Sequence, residues 1–251
     1  MKGGRLSVVG LGPGAAEWVT PQVNEALARA QDLIGYAPYL ARVPERAGQV
    51  RHASDNRVEI DRARHAIALA KQGRDVAIVS GGDPGIFAMA SALFEAVEED
   101  EGAHDLPVEI MPGISAVQAA AARLGAPLGH DFCVISLSDN LKPWPLVAAR
   151  LKAAAEADFV IALYNPASKA RPSQIFDAFD LLRAAKDGGT PVAFCRAIGR
   201  PDEAVTLTTL AAANPGVVDM ATLVLIGSSA TRLILRKGAR PWLYTPRRAV
   251  A

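Results

Sequence analysis

The sequence predicts an α/β fold of two α/β domains, each on a mostly parallel sheet, with a ligand cleft between them. Three observations carry this. Short strands that are apolar throughout recur along the 251-residue chain, and such runs belong to strands covered on both faces. Helix-like stretches alternate with them from end to end, the pattern of a largely parallel sheet. Glycine-rich turns follow the strands, where open parallel sheets bind their ligands.

The elements follow in order. Residues 6–9 (Leu-Ser-Val-Val) read as the first strand, then a glycine-rich turn and a helix over residues 21–30. Residues 33–36 (Leu-Ile-Gly-Tyr) read as the second strand. Over residues 58–72 the apolar period is helical. Ile60, Ala63, Ile67 and Ala70 share one face, Arg62, Arg64 and Lys71 lie off it, and Gly73 ends it. Residues 75–79 form a strand bounded by Gly-Gly-Asp-Pro, and residues 108–111 form another. A helix begins after Pro112-Gly113, and its small residues 119–122 predict tight packing. The domain join is placed at that turn, giving domains 1–112 and 113–251. Residues 159–163, 191–195 and 222–226 are strands of the second half. No period of 20 to 50 residues recurs, which excludes a solenoid.

Composition narrows the function. Apolar residues make up 50% and charged residues 21%, an ordinary globular balance. Lys plus Arg number 27 and Asp plus Glu 26, a net charge of +1 that argues against a dedicated nucleic-acid binder. The longest apolar runs fall far short of the ~20 residues that span a bilayer. Residues 1–14 show no charged-then-apolar leader, so a cytoplasmic location is expected. Cys133 and Cys195 lie inside apolar runs without a Cys or His at ligand spacing and read as buried thiols. The segment 220–251 carries six basic residues and no acid after residue 219, a solvated end or a contact for an anion.

Four strand-end motifs carry the chemistry. Gly10-Leu11-Gly12-Pro13-Gly14-Ala15 satisfies the dinucleotide fingerprint through Gly10, Gly12 and Ala15, which raises a nicotinamide or flavin enzyme as one reading. Against it, Pro13 removes a donor where a pyrophosphate would sit, and no acid ends the second strand. A tight turn would use the same glycines. In Gly81-Gly82-Asp83-Pro84-Gly85-Ile86-Phe87 the glycines allow close backbone approach to a ligand. Asp83 either holds a hydroxyl or amine or caps a helix opened by Pro84. Met111-Pro112-Gly113-Ile114-Ser115-Ala116 and Leu163-Tyr164-Asn165-Pro166-Ala167-Ser168 are the third and fourth.

This set, in this order and spacing, resembles the tetrapyrrole methylases, S-adenosylmethionine-dependent enzymes that act on precorrins and uroporphyrinogen. The likeness runs from Leu6 to about Thr231. Gly35-Tyr36-x-x-Tyr39-Leu40, Ser54-Asp55-Asn56-Arg57, Tyr164-Asn165-Pro166 and Gly227-Ser228-Ser229-Ala230-Thr231 are most similar to the ring-contracting members of cobalamin synthesis. The resemblance implies methyl transfer to C-17 of precorrin-3B with contraction to precorrin-4. It also implies a homodimer, with no metal, no membrane and no nucleic acid involved. A cobalt-containing or neighbouring precorrin substrate is the nearest alternative. A silent tetrapyrrole carrier is another.

By the same resemblance the methyl donor is met by Pro13, Gly81, Gly82, Asp83, Ile86, Ser115, Ala116, Tyr164, Asn165, Ala197 and Ile198. Gly12, Tyr39, Arg57 and Arg171 are the substrate candidates. The eight or so carboxylate arms of the macrocycle call for Arg, which grips a carboxylate in bidentate fashion. Arg42, Arg51 and Lys169 are further candidates. Ring contraction moves a hydroxyl proton, and Asp55, Tyr36 and Glu59, with His52 and Tyr39, are the groups able to help. His65 and His130 read as structural.

Overall fold

The computed structural model describes residues 4–55, 58–168 and 170–248. The chain divides into two compact units, Met1–Ser115 and Ala116–Ala251. The sequence reading puts the join three residues earlier.

The first unit contains β1 (Leu6–Gly10), α1 (Pro21–Arg29), β2 (Asp32–Tyr36), α2 (Ala37–Leu40), β3 (Val50–Ser54), α3 (Glu59–Lys71), β4 (Val76–Ser80), α4 (Met89–Glu98) and β5 (Val108–Met111). Its sheet has the order β3-β2-β4-β1-β5, and every pairing is parallel. Period-2 alternation divides its side chains between two layers. Val9, Leu33, Ala77 and Val79 pack with Val23, Ala26 and Leu27 of α1. Leu6, Val8, Ile34, Val76 and Ile78 pack with Ala63, Ala66 and Ile67 of α3 and with Met89, Leu93 and Ala96 of α4. Each fully buried Val, Leu or Ile contributes about 1.5–3 kcal/mol.

Local chemistry sets the helix ends. Thr20 Oγ1 accepts from Val23 N at 3.3 Å, and Pro21 opens α1. Glu59 and Asp61 sit in the first turn of α3, and Gly73 follows it at φ +86°. Two expectations are corrected. Arg62 is not off the buried face of α3; it is 5% exposed. Nor does Pro84 open a helix, because α4 begins only at Met89.

The second unit contains α5 (Ala116–Leu124), β6 (Gly125–Ala126), β7 (Phe132–Ser136), α6 (Trp144–Glu156), β8 (Val160–Tyr164), α7 (Gln174–Ala185), β9 (Pro191–Arg196), β10 (Ala204–Thr209), β11 (Thr222–Ile226), β12 (Arg232–Arg236) and β13 (Ala239–Tyr244). Its main sheet has the order β10-β9-β11-β8-β7. Here the expected parallel sheet gives way to a mixed one. Only β7 and β8 pair in parallel; β11 is antiparallel to β8 and β9, and β10 to β9. A parallel return needs a crossover of about a dozen residues or more. Residues 197–203 hold no helix and are too few, so β10 turns straight back. Apolar runs report burial on both faces and are blind to strand direction. The core centres on Phe179, stacked on Phe194 with ring centroids 6.1 Å apart.

The basic segment is an ordered hairpin, β12 and β13, joined to β6 in a small sheet. Arg236 lies over the Trp242 ring at 4.1 Å. Arg240 Nη2 donates to Arg123 O at 2.7 Å.

Candidate active site

In the first unit β1 and β4 are neighbours, yet the chain leaves them toward opposite layers, through α1 and α4. Such a switch point leaves a crevice at the carboxyl ends of the strands. Three motif loops meet there, backbone against backbone. Gly12 and Gly82 exchange N–H···O bonds of 3.1 and 3.0 Å, with φ of +68° and +62°. A Cβ on Gly10 would lie 2.7 Å from Gly113 N and from Gly82 O. One on Gly113 would lie 2.3 Å from Gly82 O. The glycines of the dinucleotide-like fingerprint are therefore explained by loop-to-loop contact. Asp83 fastens the set: Oδ2 accepts from Gly113 N at 3.1 Å and Oδ1 from Gly85 N at 2.8 Å. Ile86 N donates to Asp83 O at 3.3 Å. Ser115, 2% exposed, ends the unit.

The two glycines of the second motif differ in cause. A Cβ on Gly81 would lie 2.7 Å from Tyr39 Cζ, whereas nothing stands within 4 Å of the corresponding point on Gly82. Gly82 thus leaves an open backbone face, as a ligand that packs against backbone requires. Tyr39 meets Tyr36 edge to face at 5.4 Å.

The arginines divide by use. Arg42 donates to the carbonyls of Gly12 (2.9 Å), Leu11 (2.8 Å) and Gly14 (3.1 Å), bracing the first glycine loop. Arg51 likewise donates to the carbonyls of Leu40, Val43 and Pro44. Arg62, which the sequence reading passed over, donates to Ser54 Oγ at 2.9 Å and Asp55 O at 2.8 Å, with Met89 Sδ 3.1 Å away. Burial pulls its pKa down, while Glu59 and Tyr39 act to raise it. Asp55 and Glu59, the acid–base candidates, thus flank one buried guanidinium, and Tyr39 lies in its field. The legible signal was Ala66 one turn on. His52 Nε2 instead meets the buried Asp32 at 2.8 Å, within the sheet. Arg57 and Lys169 lie outside the described residues.

In the second unit β7, β8 and β9 end at one edge. Tyr164 Oη accepts from Val117 N at 2.9 Å, in the first turn of α5, which Ala116 opens. Asn165 takes φ +51° and donates from Nδ2 to Ser136 Oγ at 3.0 Å. Ala197, at φ +50°, and Ile198 are buried just past β9. Arg171 is turned inward, 7% exposed. It donates to Leu137 O at 3.4 Å and Asn165 O at 3.3 Å, and its Nε lies 3.7 Å from Asp139 Oδ1. These contacts brace the Asn165 loop. His130 Nδ1 accepts from Asp131 N at 2.8 Å, a local turn contact.

A parallel sheet with interlocked strand-end loops, followed by a mixed sheet, is an arrangement shared with a solved methyltransferase. The solved structure of the methyltransferase CobJ matches at a TM-score of 0.92 and 51% identity, over 97% of this chain and 100% of that one. The chain belongs to the tetrapyrrole (corrin/porphyrin) methylases, whose family profile matches residues 5–214. It is 54% identical over 245 residues to a precorrin-3B C(17)-methyltransferase of Sinorhizobium sp, covering 97% of this chain and 96% of the relative. A Thermus thermophilus uroporphyrin-III C-methyltransferase complexed with S-adenosylhomocysteine shares the fold, with TM-score 0.69, 23% identity and coverage of 89% and 97%.

Proposed function

We propose that this protein transfers a methyl group from S-adenosylmethionine to C-17 of precorrin-3B and contracts the ring to precorrin-4, in cobalamin biosynthesis. One observation carries the reading: 54% identity to a precorrin-3B C(17)-methyltransferase across nearly the full length of both chains.

The residues assigned to the donor are Pro13, Gly81, Gly82, Asp83, Ile86, Ser115, Ala116, Tyr164, Asn165, Ala197 and Ile198. The open backbone face of Gly82 suits an uncharged adenosine. The donor is a sulfonium without phosphate, so Pro13 in the glycine loop is no handicap. Methyl transfer is an in-line displacement, and the chain's main task is to hold donor and acceptor carbon in line and exclude water. Gly12 and Tyr39 serve the macrocycle, Arg57 is assigned to it by the resemblance alone, and Arg171 acts at one remove by seating Asn165. Asp55, Tyr36 or Glu59 takes the proton during contraction.

The protein works in the cytoplasm as a homodimer without metal. No helix among the described residues is long and apolar enough to cross a membrane. Exposed Leu233, Ile234 and Trp242 on the hairpin suit an apolar subunit contact.

The decisive experiment incubates the protein with methyl-labelled S-adenosylmethionine and a panel of precorrins, followed by mass analysis of the pigment. A labelled, ring-contracted product from precorrin-3B is expected. Turnover of only the cobalt-containing analogue would move the assignment to the neighbouring substrate, and no labelled pigment at all would overturn it.

A further inference from the structure

Among the described residues four that are not glycine adopt positive φ: Phe87, Asp158, Asn165 and Ala197. Three of these follow strand ends at the loops described above. The fourth, Asp158, is held by the Lys186 ammonium at 2.8 Å and by Ser229 N at 3.0 Å. Asn tolerates this conformation, and Ala197 is small and buried. Phe87 is the outlier. It is a bulky aromatic at φ +52°, yet 49% exposed. A left-handed backbone at such a residue persists only where the surroundings impose it, and it clusters at ligand-binding positions.

The surroundings do impose it. On one side, Asp83 bonds Gly85 N at 2.8 Å and Gly113 N at 3.1 Å, and its carbonyl accepts from Ile86 N. On the other, Ala90 N donates to Pro84 O at 2.9 Å, while Met89 is buried in the core beside Arg62. The chain is tied down before and after residue 87, which leaves a half-exposed aromatic side chain at the same strand end as Gly82.

We infer that Phe87 is a substrate-positioning residue, held in a strained backbone so that its ring forms an apolar wall against the face of the tetrapyrrole. This rests on the substrate class proposed above. An aromatic ring suits a flat, largely apolar macrocycle whose charges lie on its rim.

The test uses Phe87→Gly, Phe87→Leu and Phe87→Tyr in the full chain, with three readouts. Phe87→Gly removes both strain and ring. Its Tm is expected to hold or rise by up to about 3 °C. Pigment affinity should fall about ten- to a hundredfold, the range for losing burial of one aromatic ring. S-adenosylhomocysteine affinity, read by calorimetry, should stay at the parent level. Phe87→Tyr should retain pigment binding and Phe87→Leu only part of it. Parent-level pigment affinity in Phe87→Gly overturns the assignment alone. A fall in Tm with loss of both ligands makes Phe87 a packing residue and also overturns it. A parent protein that binds no tetrapyrrole overturns the substrate class, and this assignment with it.

Discussion

The ring of Tyr39 occupies the space that a side chain on Gly81 would need, with Cζ 2.7 Å from the position of a Cβ. The first glycine of Gly-Gly-Asp-Pro is thus small because of a neighbour in its own unit. Gly81→Ala is expected to displace Tyr39 and destabilise the fold by about 1–3 kcal/mol, the usual cost of overpacking. Tyr39→Ala in the same chain should recover most of that, so the pair is strongly non-additive in a denaturant double-mutant cycle. Additive effects would mean that the ring is not the obstacle. Gly82→Ala meets no atom and carries only the strain of φ +62°, about 1–2 kcal/mol. It should nevertheless weaken S-adenosylhomocysteine if the donor packs there.

Arg171→Ala separates a brace from a substrate grip. It leaves Asp139 and the Asn165 and Leu137 carbonyls without their buried partner. A loss of about 1–3 kcal/mol in urea unfolding is expected, the cost of leaving buried carbonyls without their donor. Donor and pigment affinity should fall together, because Asn165 is unseated. A selective loss of pigment binding at parent stability would return Arg171 to the substrate set.

Asp32 sets an acid limit. Burial acts to raise its pKa, but hydrogen bonds from Arg74 and His52 outweigh this and hold the carboxyl below the usual range. A depressed folded pKa gives stability that is complete above the unfolded value, about 3.9. That stability is lost as pH falls through the folded value. Asp32→Asn should therefore be destabilised by about 3 kcal/mol at pH 7. The gap from the parent should narrow as pH falls below the unfolded value, in a series of thermal melts.

The thiols should be quiet. Burial pushes Cys195 up to about 12 against a smaller pull from Arg240. At pH 8 its thiolate fraction is then roughly one in ten thousand. Burial also raises half-buried Cys133. Native protein should show no more than one slow thiol with an aromatic disulfide reagent, and two fast ones in urea. Fast modification of Cys195 without denaturant would show that β9 opens.

Sequence reading reached the strands and the loops for a physical reason. An apolar run such as residues 222–226 and a turn glycine such as Gly82 are local necessities, written where they act. Direction is not local: nothing in residues 204–209 announces that β10 turns back, since only the short link before it decides. The inward arginines were hidden for a related reason. Arg42, Arg51, Arg62 and Arg171 reach carbonyls 6 to 34 positions away, and composition counts them as surface charge. For Asp83 the sequence leaves ligand contact and helix cap both open, because one of its partners, Gly113 N, lies on another strand end.

The reversal of β11 has a consequence for how such a protein can change. Thr222, its first residue, lies level with Arg196, its neighbour's last. Chain therefore arrives at this edge through residues 210–221 as well as leaving it after β7, β8 and β9. A departing loop must deliver the chain to the next helix, as residues 165–173 do for α7. The arriving segment holds only one short turn, Pro215–Val217, and has no long helix to aim. Loops of this kind tolerate insertion and exchange. Lengthening or trading this segment is therefore the change this unit can absorb most easily while leaving Asn165 and Ala197 as they are.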